Sequence, residues 1–354
     1  MTALRLGSLF DGIGVFPLAA VRCGIEPVWA SEIEKAPISI TKRHFPDMAH
    51  LGDVTKLDGR DLPPVHIITF GSPCQNLSQI GNRKGLAGEK SSLFYQAIRI
   101  IEEMRDVSGG IYPAIILWEN VLGAMQQNLK HDYLAVLRSF AGAEVSMPDS
   151  GHWADAGVVR GRRCDLAWRV MDAQYWARSR LARRERVFVV ADFTGQRAAE
   201  ILFNARSMHA DSRICGAGGL PTAEDHRIAS SEAGRQIPVI LPFYGFKMRG
   251  AAANRNRQQF IRSFGKRTDV FPTILASEQT AFAYYYEDDP LVGCIRYPTE
   301  AESERLMGLP ADWTKYGADG EEIRSSSRYT AIGNAIALPC AEYIMEGIAA
   351  ALQK

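Results

Sequence analysis

The chain has 354 residues, 46% of them hydrophobic, enough for a large core divided between two lobes. Its 41 Lys and Arg against 40 Asp and Glu leave a formal net charge of +1, so attraction for an anionic partner has to come from local clustering. The six cysteines, Cys23, Cys74, Cys164, Cys215, Cys294 and Cys340, include no CxxC pair, and no run reaches the ~18 apolar residues of a membrane span. A zinc centre, a disulfide framework and membrane insertion are therefore not expected. Widely spaced thiols suit a reducing compartment, and the opening MTALRLGSLF lacks a charged stretch followed by a long apolar one, so the expected location is cytoplasmic.

In chain order, apolar strands alternate with helical patterns. Leu4 to Phe10 reads as a strand, Gly14 to Cys23 as a helix, Pro27 to Ser31 as a strand and Ala36 to His44 as a helix. Val65 to Phe70, Ala114 to Trp118 and Arg186 to Ala191 continue as strands, with helices over Leu93 to Arg105 and Tyr133 to Phe140. The rhythm predicts a doubly wound α/β domain with a mostly parallel sheet. After Asp192 the periodicity fades and Gly, Ser and Arg rise, which sets a domain boundary there. Helices return at Thr299 to Met307 and at Ala331 to Ala350. The expected domains are 1–191 with 326–354, and 192–325.

The residues that carry chemistry cluster at predicted strand ends. Cys74, in Ser72-Pro73-Cys74-Gln75, follows a buried strand on a turn constrained by Pro73, a placement that suits a nucleophile better than packing. Phe10-Asp11-Gly12-Ile13-Gly14 closes the first strand and opens the first helix, where glycines admit a ligand close to the backbone. Alone this is a weak sign, since the third glycine of the dinucleotide fingerprint is missing. Glu32, about 20 residues on, stands where α/β folds hold a ribose diol, with Glu34 competing for the role, and Asp53 can accept a bond from an exocyclic amine such as that of adenine. Each acid taken singly is as readily a solvated loop residue; three at successive strand ends favour a nucleoside cofactor. Glu119, in Trp118-Glu119-Asn120-Val121, ends another strand on the same edge and suits a proton donor, or else a loop acid. Strand alternation puts Arg184 and Arg186 on one face, where guanidinium forks suit phosphate or a base carbonyl.

Together these residues resemble the DNA (cytosine-5) methyltransferase family of bacterial or phage type, in order along nearly the whole chain. Phe10 to Gly14 resembles its first cofactor motif, Gly71 to Ser78 its PCQ motif, Glu119-Asn120-Val121 its ENV motif, and Arg184 and Arg186 its QxRxR. Arg296 to Trp313 resembles RxxxxxExxRLxGxP, and Arg328 to Ile336 the terminal GN motif. Only about Asp192 to Val292 lacks a family-wide signature, as the resemblance implies for an irregular target-recognition domain.

The resemblance implies a class I, Rossmann-like catalytic domain using S-adenosylmethionine without a metal. It implies cofactor contacts from Phe10, Gly12, Ile13, Gly14, Glu32, Ile33, Asp53, Val54, Gly71, Pro73, Leu93, Asn334 and Ala335. Cys74 would add to C6 of a cytosine extruded from duplex DNA, Glu119 would donate toward N3, which requires a raised pKa, Arg186 would hold the carbonyl oxygen, and Arg184 would orient the acid or a phosphate. The Gly-rich, Lys-bearing stretch Gln75 to Ser92 reads as a lid over double-stranded DNA, with Ser78, Gln79, Arg83 and Lys84 as contacts. From Lys247 to Arg267 there is no acid, and Lys247, Arg249, Arg255 and Arg257 are expected at phosphates.

Three positions depart from the family pattern: Val15 for a glycine, Ile33 for an aromatic residue and Ala182 for the Gln of QxRxR. Competing readings are an RNA (tRNA) cytosine-5 methyltransferase, a catalytically silent DNA-binding homologue, and an amino-methyltransferase, whose DPPY-like or SPPY-like tetrad the chain lacks. The protein is expected to be monomeric. The recognition sequence, and whether a cognate restriction endonuclease accompanies the protein, do not follow from one chain.

Overall fold

The computed structural model of the chain describes residues 3–72, 93–125, 130–142, 145–176, 182–203, 243–247, 267–268, 271, 273–276, 280–285 and 293–353, with strands 243–247, 267–268, 280–285 and 293–296 described by backbone alone. The chain divides into two compact units: Met1–Met171 with Glu185–Met208 and Cys340–Lys354, and Asp172–Arg184 with His209–Pro339. This division differs from the one expected from composition, because 192–208 group with the first unit, and Asp172–Arg184 and 326–339 with the second. Local bonds within that unit account for Asp172–Arg184: Ala182 N–H donates to Leu306 O at 3.0 Å and Arg183 N–H to Phe271 O at 2.8 Å.

The first unit is built on an eight-stranded sheet: β1 (Arg5–Leu9), β2 (Glu26–Ser31), β3 (Ala49–His50), β4 (Ile67–Phe70), β5 (Ile115–Val121), β6 (Ala156–Arg160), β7 (Asp165–Asp172) and β8 (Glu185–Asp192). The strand order is β3-β2-β1-β4-β5-β8-β7-β6, parallel from β3 through β5, with β8 antiparallel to β5 and β6 antiparallel to β7. Helices α1 (Val15–Arg22), α2 (Lys35–His44), α3 (Leu93–Val107) and α4 (Lys130–Ala141) alternate with the strands, and α5 (Ala198–Leu202) follows β8. From β1 the chain winds outward to β2 and β3, then returns to β4 and β5 on the other side. The order therefore reverses between β1 and β4, and the crevice at the carboxyl ends of these strands is where such a fold binds ligands.

The apolar runs explain the central strands. Every residue of β4 is buried, as expected of a parallel strand covered on both faces. Phe94, Ala97, Ile98, Ile101 and Met104 make the buried stripe of α3 at helical spacing. They join a core of Phe70, Trp118, Tyr133, Phe140 and Trp168. Phe94 meets Trp118 edge to face at 6.0 Å and Tyr133 stacks on Trp118 at 6.3 Å, contacts worth about 0.5–1.5 kcal/mol each beyond their buried area.

Two parts of this unit were not anticipated. The β6–β7 hairpin is the first: β6 alternates exposed and half-buried residues, too little apolar surface to mark a strand by sequence. The second is the length of β5, which runs three residues past Trp118 because β8 supplies an antiparallel partner there.

In the second unit, β9 (Phe243–Lys247), β10 (Arg267–Thr268), β11 (Thr280–Tyr285) and β12 (Gly293–Arg296) form an antiparallel sheet in the order β10-β9-β11-β12. Helices α6 (Glu300–Leu306) and α7 (Ser325–Asn334) follow, and α8 (Leu338–Leu352) leaves this unit to run through the first. The single terminal helix expected over Ala331 to Ala350 is thus two helices broken at 335–337. Pro339, which lacks a backbone N–H, falls in the first turn of α8, where that loss is tolerated. Among the described residues no single helix is long and apolar enough to cross a membrane.

Candidate active site

The turn after β1 is shaped by three residues with left-handed backbone: Phe10 (φ 54°), Gly12 (φ 58°) and Gly14 (φ 75°). At Gly14 a side chain is excluded twice over, since a Cβ there would lie 2.9 Å from Thr41 and Phe45. Phe10 has no such freedom, and its strain, of order 1–3 kcal/mol, is a mark of functional turns. The turn is tied to the end of β2 by Asp11 N–H on Ser31 O (3.1 Å) and Gly12 N–H on Glu32 Oε2 (2.8 Å). Glu32 Oε1 accepts from Ile33 N–H (2.8 Å) and Glu34 N–H (3.0 Å). Glu32 is thereby turned toward the glycine turn, whereas Glu34 stands exposed at the start of α2. Ile33 beside it is 66% exposed, an apolar face of the kind an adenine ring covers.

Asp53 opens a short 3-10 turn, Val54–Lys56, by accepting from the Thr55 N–H (2.9 Å) and hydroxyl (2.8 Å), and these bonds hold its carboxyl below the usual range. The neighbouring Gly52 O accepts from Ser31 Oγ at 2.6 Å, joining this loop to β2. Val54, Phe10 and Leu93 pack on the core, and Ile13 is buried within the turn before α1. Val15, the departure from glycine, is buried as the first residue of α1.

Sequence reasoning missed Asp11. Its carboxyl is 8% exposed; Oδ1 accepts from Ser8 Oγ at 2.6 Å, while the buried Oδ2 has no hydrogen-bond partner. Burial pushes its pKa up to about 7, against the lowering effect of the Ser8 bond and with a further push from the Glu32 carboxylate. A buried carboxyl with an unused oxygen at a strand end is an acceptor lacking its donor. Its position inside a glycine turn was the available signal, but a lone Asp in a turn is usually a local cap.

At the ends of β4 and β5 the geometry concerns Gly71, Ser72, Glu119 and Arg186. Glu119 lies opposite Phe188 in the antiparallel pair with β8, which makes Arg186 its diagonal neighbour on the same face. Arg186 Nε sits 3.0 Å from Glu119 Oε1, with both side chains largely buried, and Arg186 Nη1 donates to Glu185 O at 2.7 Å. Gly71 faces the other carboxylate oxygen: a Cβ built there would lie 3.0 Å from Glu119 Oε2.

Arg184 and Arg186, expected on one face, belong to different units. The buried Arg184 donates through Nη1 to Ile274 O (3.1 Å) and through Nη2 to Gly333 O (3.0 Å), and its N–H bonds Asp172 Oδ1 (2.9 Å). Ala182, in place of the family's Gln, is fully buried in that unit.

The second unit also holds Asn334, the last residue of α7, and the buried Ala335. The stretch resembling RxxxxxExxRLxGxP folds as a capped helix. Thr299 accepts from Glu302 N–H (3.2 Å) and Glu302 reaches back to Thr299 N–H (2.8 Å), a reciprocal capping box. Glu304 is fully buried, and its Oε1 accepts from Arg328 Nη2 (3.1 Å), Thr314 N–H (2.9 Å) and Thr314 Oγ1 (2.5 Å), joining α6 to α7.

Pro73, Cys74, Ser78, Gln79, Arg83, Lys84 and the whole expected lid from Gln75 to Ser92 lie outside the described residues, as do Arg249, Arg255 and Arg257. Lys247 is described only as backbone at the end of β9. Among the described residues no group of three or more His, Cys, Asp or Glu side chains is placed to hold a metal ion.

Comparison with known proteins places the chain. The family described as C-5 cytosine-specific DNA methylase matches residues 4–197, more than half of the sequence. The chain belongs to that family. Among curated relatives, the DNA N-6-adenine-methyltransferase of Escherichia phage P1 is 30% identical over 219 residues, 54% of this chain. The Type II methyltransferase M2.BsuMI of Bacillus subtilis is 25% identical over 352 residues, 98% of this chain. The matches span 29% of the phage protein's length and 75% of the Bacillus protein's. Among solved structures, the S. pombe Dnmt2 methyltransferase is similar over 99% of this chain and 100% of its own, with a TM-score of 0.61 at 16% identity, a likeness of fold. The fold is the doubly wound α/β architecture expected from the strand and helix rhythm, in the class I, Rossmann-like form that the resemblance implied.

Proposed function

We propose that the protein methylates C5 of a cytosine in double-stranded DNA, with S-adenosylmethionine as methyl donor. The observation that carries this reading is the largely buried Glu119–Arg186 ion pair at the carboxyl edge, beside Gly71, whose neighbour Ser72 comes two residues before Cys74 in sequence. Cytosine C5 is a poor nucleophile until a thiolate adds at C6, and Cys74 is the thiol the sequence puts at this strand end. Glu119 would donate toward N3 as charge builds there, and Arg186 would hold the ring carbonyl. Once C5 has taken the methyl group, the donor's sulfonium leaving as a neutral thioether, a base would take the C5 proton and elimination across C5–C6 would free the thiolate. Arg184, with its bonds to two main-chain carbonyls, would act by positioning the strand that follows it.

The cofactor residues fit a nucleoside carrying an ammonium group. Glu32 offers carboxylate oxygens for a ribose diol, Ile33 an exposed apolar face for adenine, and the turn at Gly12 and Gly14 a close backbone approach. The unpartnered buried Oδ2 of Asp11 suits the α-ammonium of the methionine portion. When bound, S-adenosylmethionine supplies an electrophilic methyl group. The second unit, with the acid-free stretch Lys247 to Arg267, would read the target sequence, and monomeric action in the cytoplasm is part of the same proposal.

A second reading comes from the name of the phage P1 relative, adenine N6 methylation. It would use a DPPY-like or SPPY-like tetrad, and the chain has Ser72-Pro73-Cys74-Gln75. One experiment separates the readings. Purified protein is incubated with labelled S-adenosylmethionine and, in separate reactions, duplex DNA and tRNA, and the nucleic acid is digested to nucleosides. Label in 5-methylcytosine that is lost in Cys74→Ser is expected; label in N6-methyladenine, or in tRNA but not DNA, would overturn the proposal.

A further inference from the structure

The parallel register of β4 and β5 ends at the pair Phe70 and Trp118. Beyond it, Gly71 and Ser72 meet three consecutive residues of β5 through side chains. The Trp118 indole Nε1–H donates to Ser72 Oγ at 3.2 Å, and Asn120 Nδ2–H donates to Ser72 O at 3.2 Å. Between these two bonds lies the close approach of Gly71 to the Glu119 carboxylate. Ser72 is 4% exposed and Trp118 fully buried.

The indole has little room to adjust. Tyr133 stacks on it, Phe94 meets it edge on, and both belong to the same close-packed core. The direction of its N–H is therefore set by the core, and that N–H in turn fixes the Ser72 hydroxyl. Ser72 is thereby tied to the strand in which Glu119 follows Trp118 directly, and Cys74 comes two residues after Ser72 in sequence.

We propose that the Trp118–Ser72 hydrogen bond is a positioning device for methyl transfer, by which the aromatic core holds the strand end leading to Cys74 in register with Glu119. This rests on the function proposed above. Trp118 and Ser72 are positioning residues. A bond that merely satisfied a buried indole would alter stability and leave the turnover of folded protein unchanged.

Trp118→Phe keeps most of the ring and removes the donor, Ser72→Ala removes the acceptor, and Ser72→Thr keeps the hydroxyl. The test measures kcat, and KM for S-adenosylmethionine and DNA, on folded protein verified by circular dichroism, for the three single variants and the Trp118→Phe/Ser72→Ala double variant. Each deletion is expected to lower kcat about tenfold with both KM values changed less than about twofold, and the double variant to lose no more than either single one. Ser72→Thr is expected to recover most of the rate. Unchanged kcat in folded Trp118→Phe, or losses that multiply in the double variant, would overturn the device while leaving the proposed function standing. Wild-type protein without methyl transfer to DNA would instead overturn the function, and the positioning role with it.

Discussion

Asp11 links stability to pH and, through the proposed ammonium contact, both to cofactor binding. Its carboxyl is pushed from 3.8 up to about 7, chiefly by burial, and Asp11→Asn would remove the charge while keeping the shape and an acceptor for Ser8 Oγ. In the ligand-free protein, between about pH 4 and pH 7, the folded state keeps a proton on Asp11 that the unfolded chain has released. The folded state binding more protons, stability attributable to this group is full below pH 4 and falls as pH rises to about 7. That displacement corresponds to roughly 4 kcal/mol at most, at about 1.36 kcal/mol per tenfold. Asp11→Asn should therefore match wild type near pH 4 and exceed it by up to roughly 4 kcal/mol at pH 8. The same variant should bind S-adenosylmethionine more weakly, since it loses the anionic acceptor for the ammonium. Urea unfolding at pH 4.5, 6 and 8, with titration calorimetry of the cofactor at pH 8, measures both. A stability difference that does not grow with pH would refute the burial reasoning; wild-type affinity in the variant would refute the ammonium contact.

Two further outcomes follow from packing. Glu304→Ala leaves the buried Arg328 guanidinium without its carboxylate, a loss of about 3–5 kcal/mol, whereas replacing both residues by Met should cost far less; equal losses in thermal unfolding of the two variants would contradict this. Gly7→Ala would put a Cβ about 2.2 Å from the ring of Trp29, which is fully buried and bonded to Pro63 O, so a loss of about 1–3 kcal/mol or more is expected, and an unchanged denaturation midpoint would show that the ring can yield.

The parts of the fold that were legible from sequence share one property, an apolar pattern with a single period. β4 and the start of β5 are nearly continuous apolar runs bounded by turns, and α3 carries an apolar stripe at helical spacing, so their patterns have one solution. The β6–β7 hairpin escaped because its edge strand faces solvent and its residues carry little pattern. The break between α7 and α8 escaped because apolar residues continue through it, and only Pro339 hinted at a new first turn. Among the candidate site residues, Glu32, Glu119 and Arg186 could be chosen because several such groups fall together at successive strand ends, although each alone has a common loop or surface reading. Asp11, Ser72 and Trp118 could not, because a turn acid, a small hydroxyl and a core aromatic each have a common structural role that only burial and hydrogen bonding can rule between.

The direction of β8 is the fact on which the site depends most and the one that periodicity could not supply. A parallel β8 would begin at the amino edge of the sheet and carry Arg186 away from Glu119. Because β8 runs antiparallel to β5, its first residues arrive at the carboxyl edge, and Val121 opposite Arg186 leaves Glu119 within diagonal reach. The same reversal separates the two arginines that alternation had paired. Arg184 ends the segment Asp172–Arg184 of the second unit, bonded to Ile274 O and Gly333 O, and Arg186 opens the return into the first. Only Glu185 separates them in sequence, so β8 starts directly after the anchored Arg184.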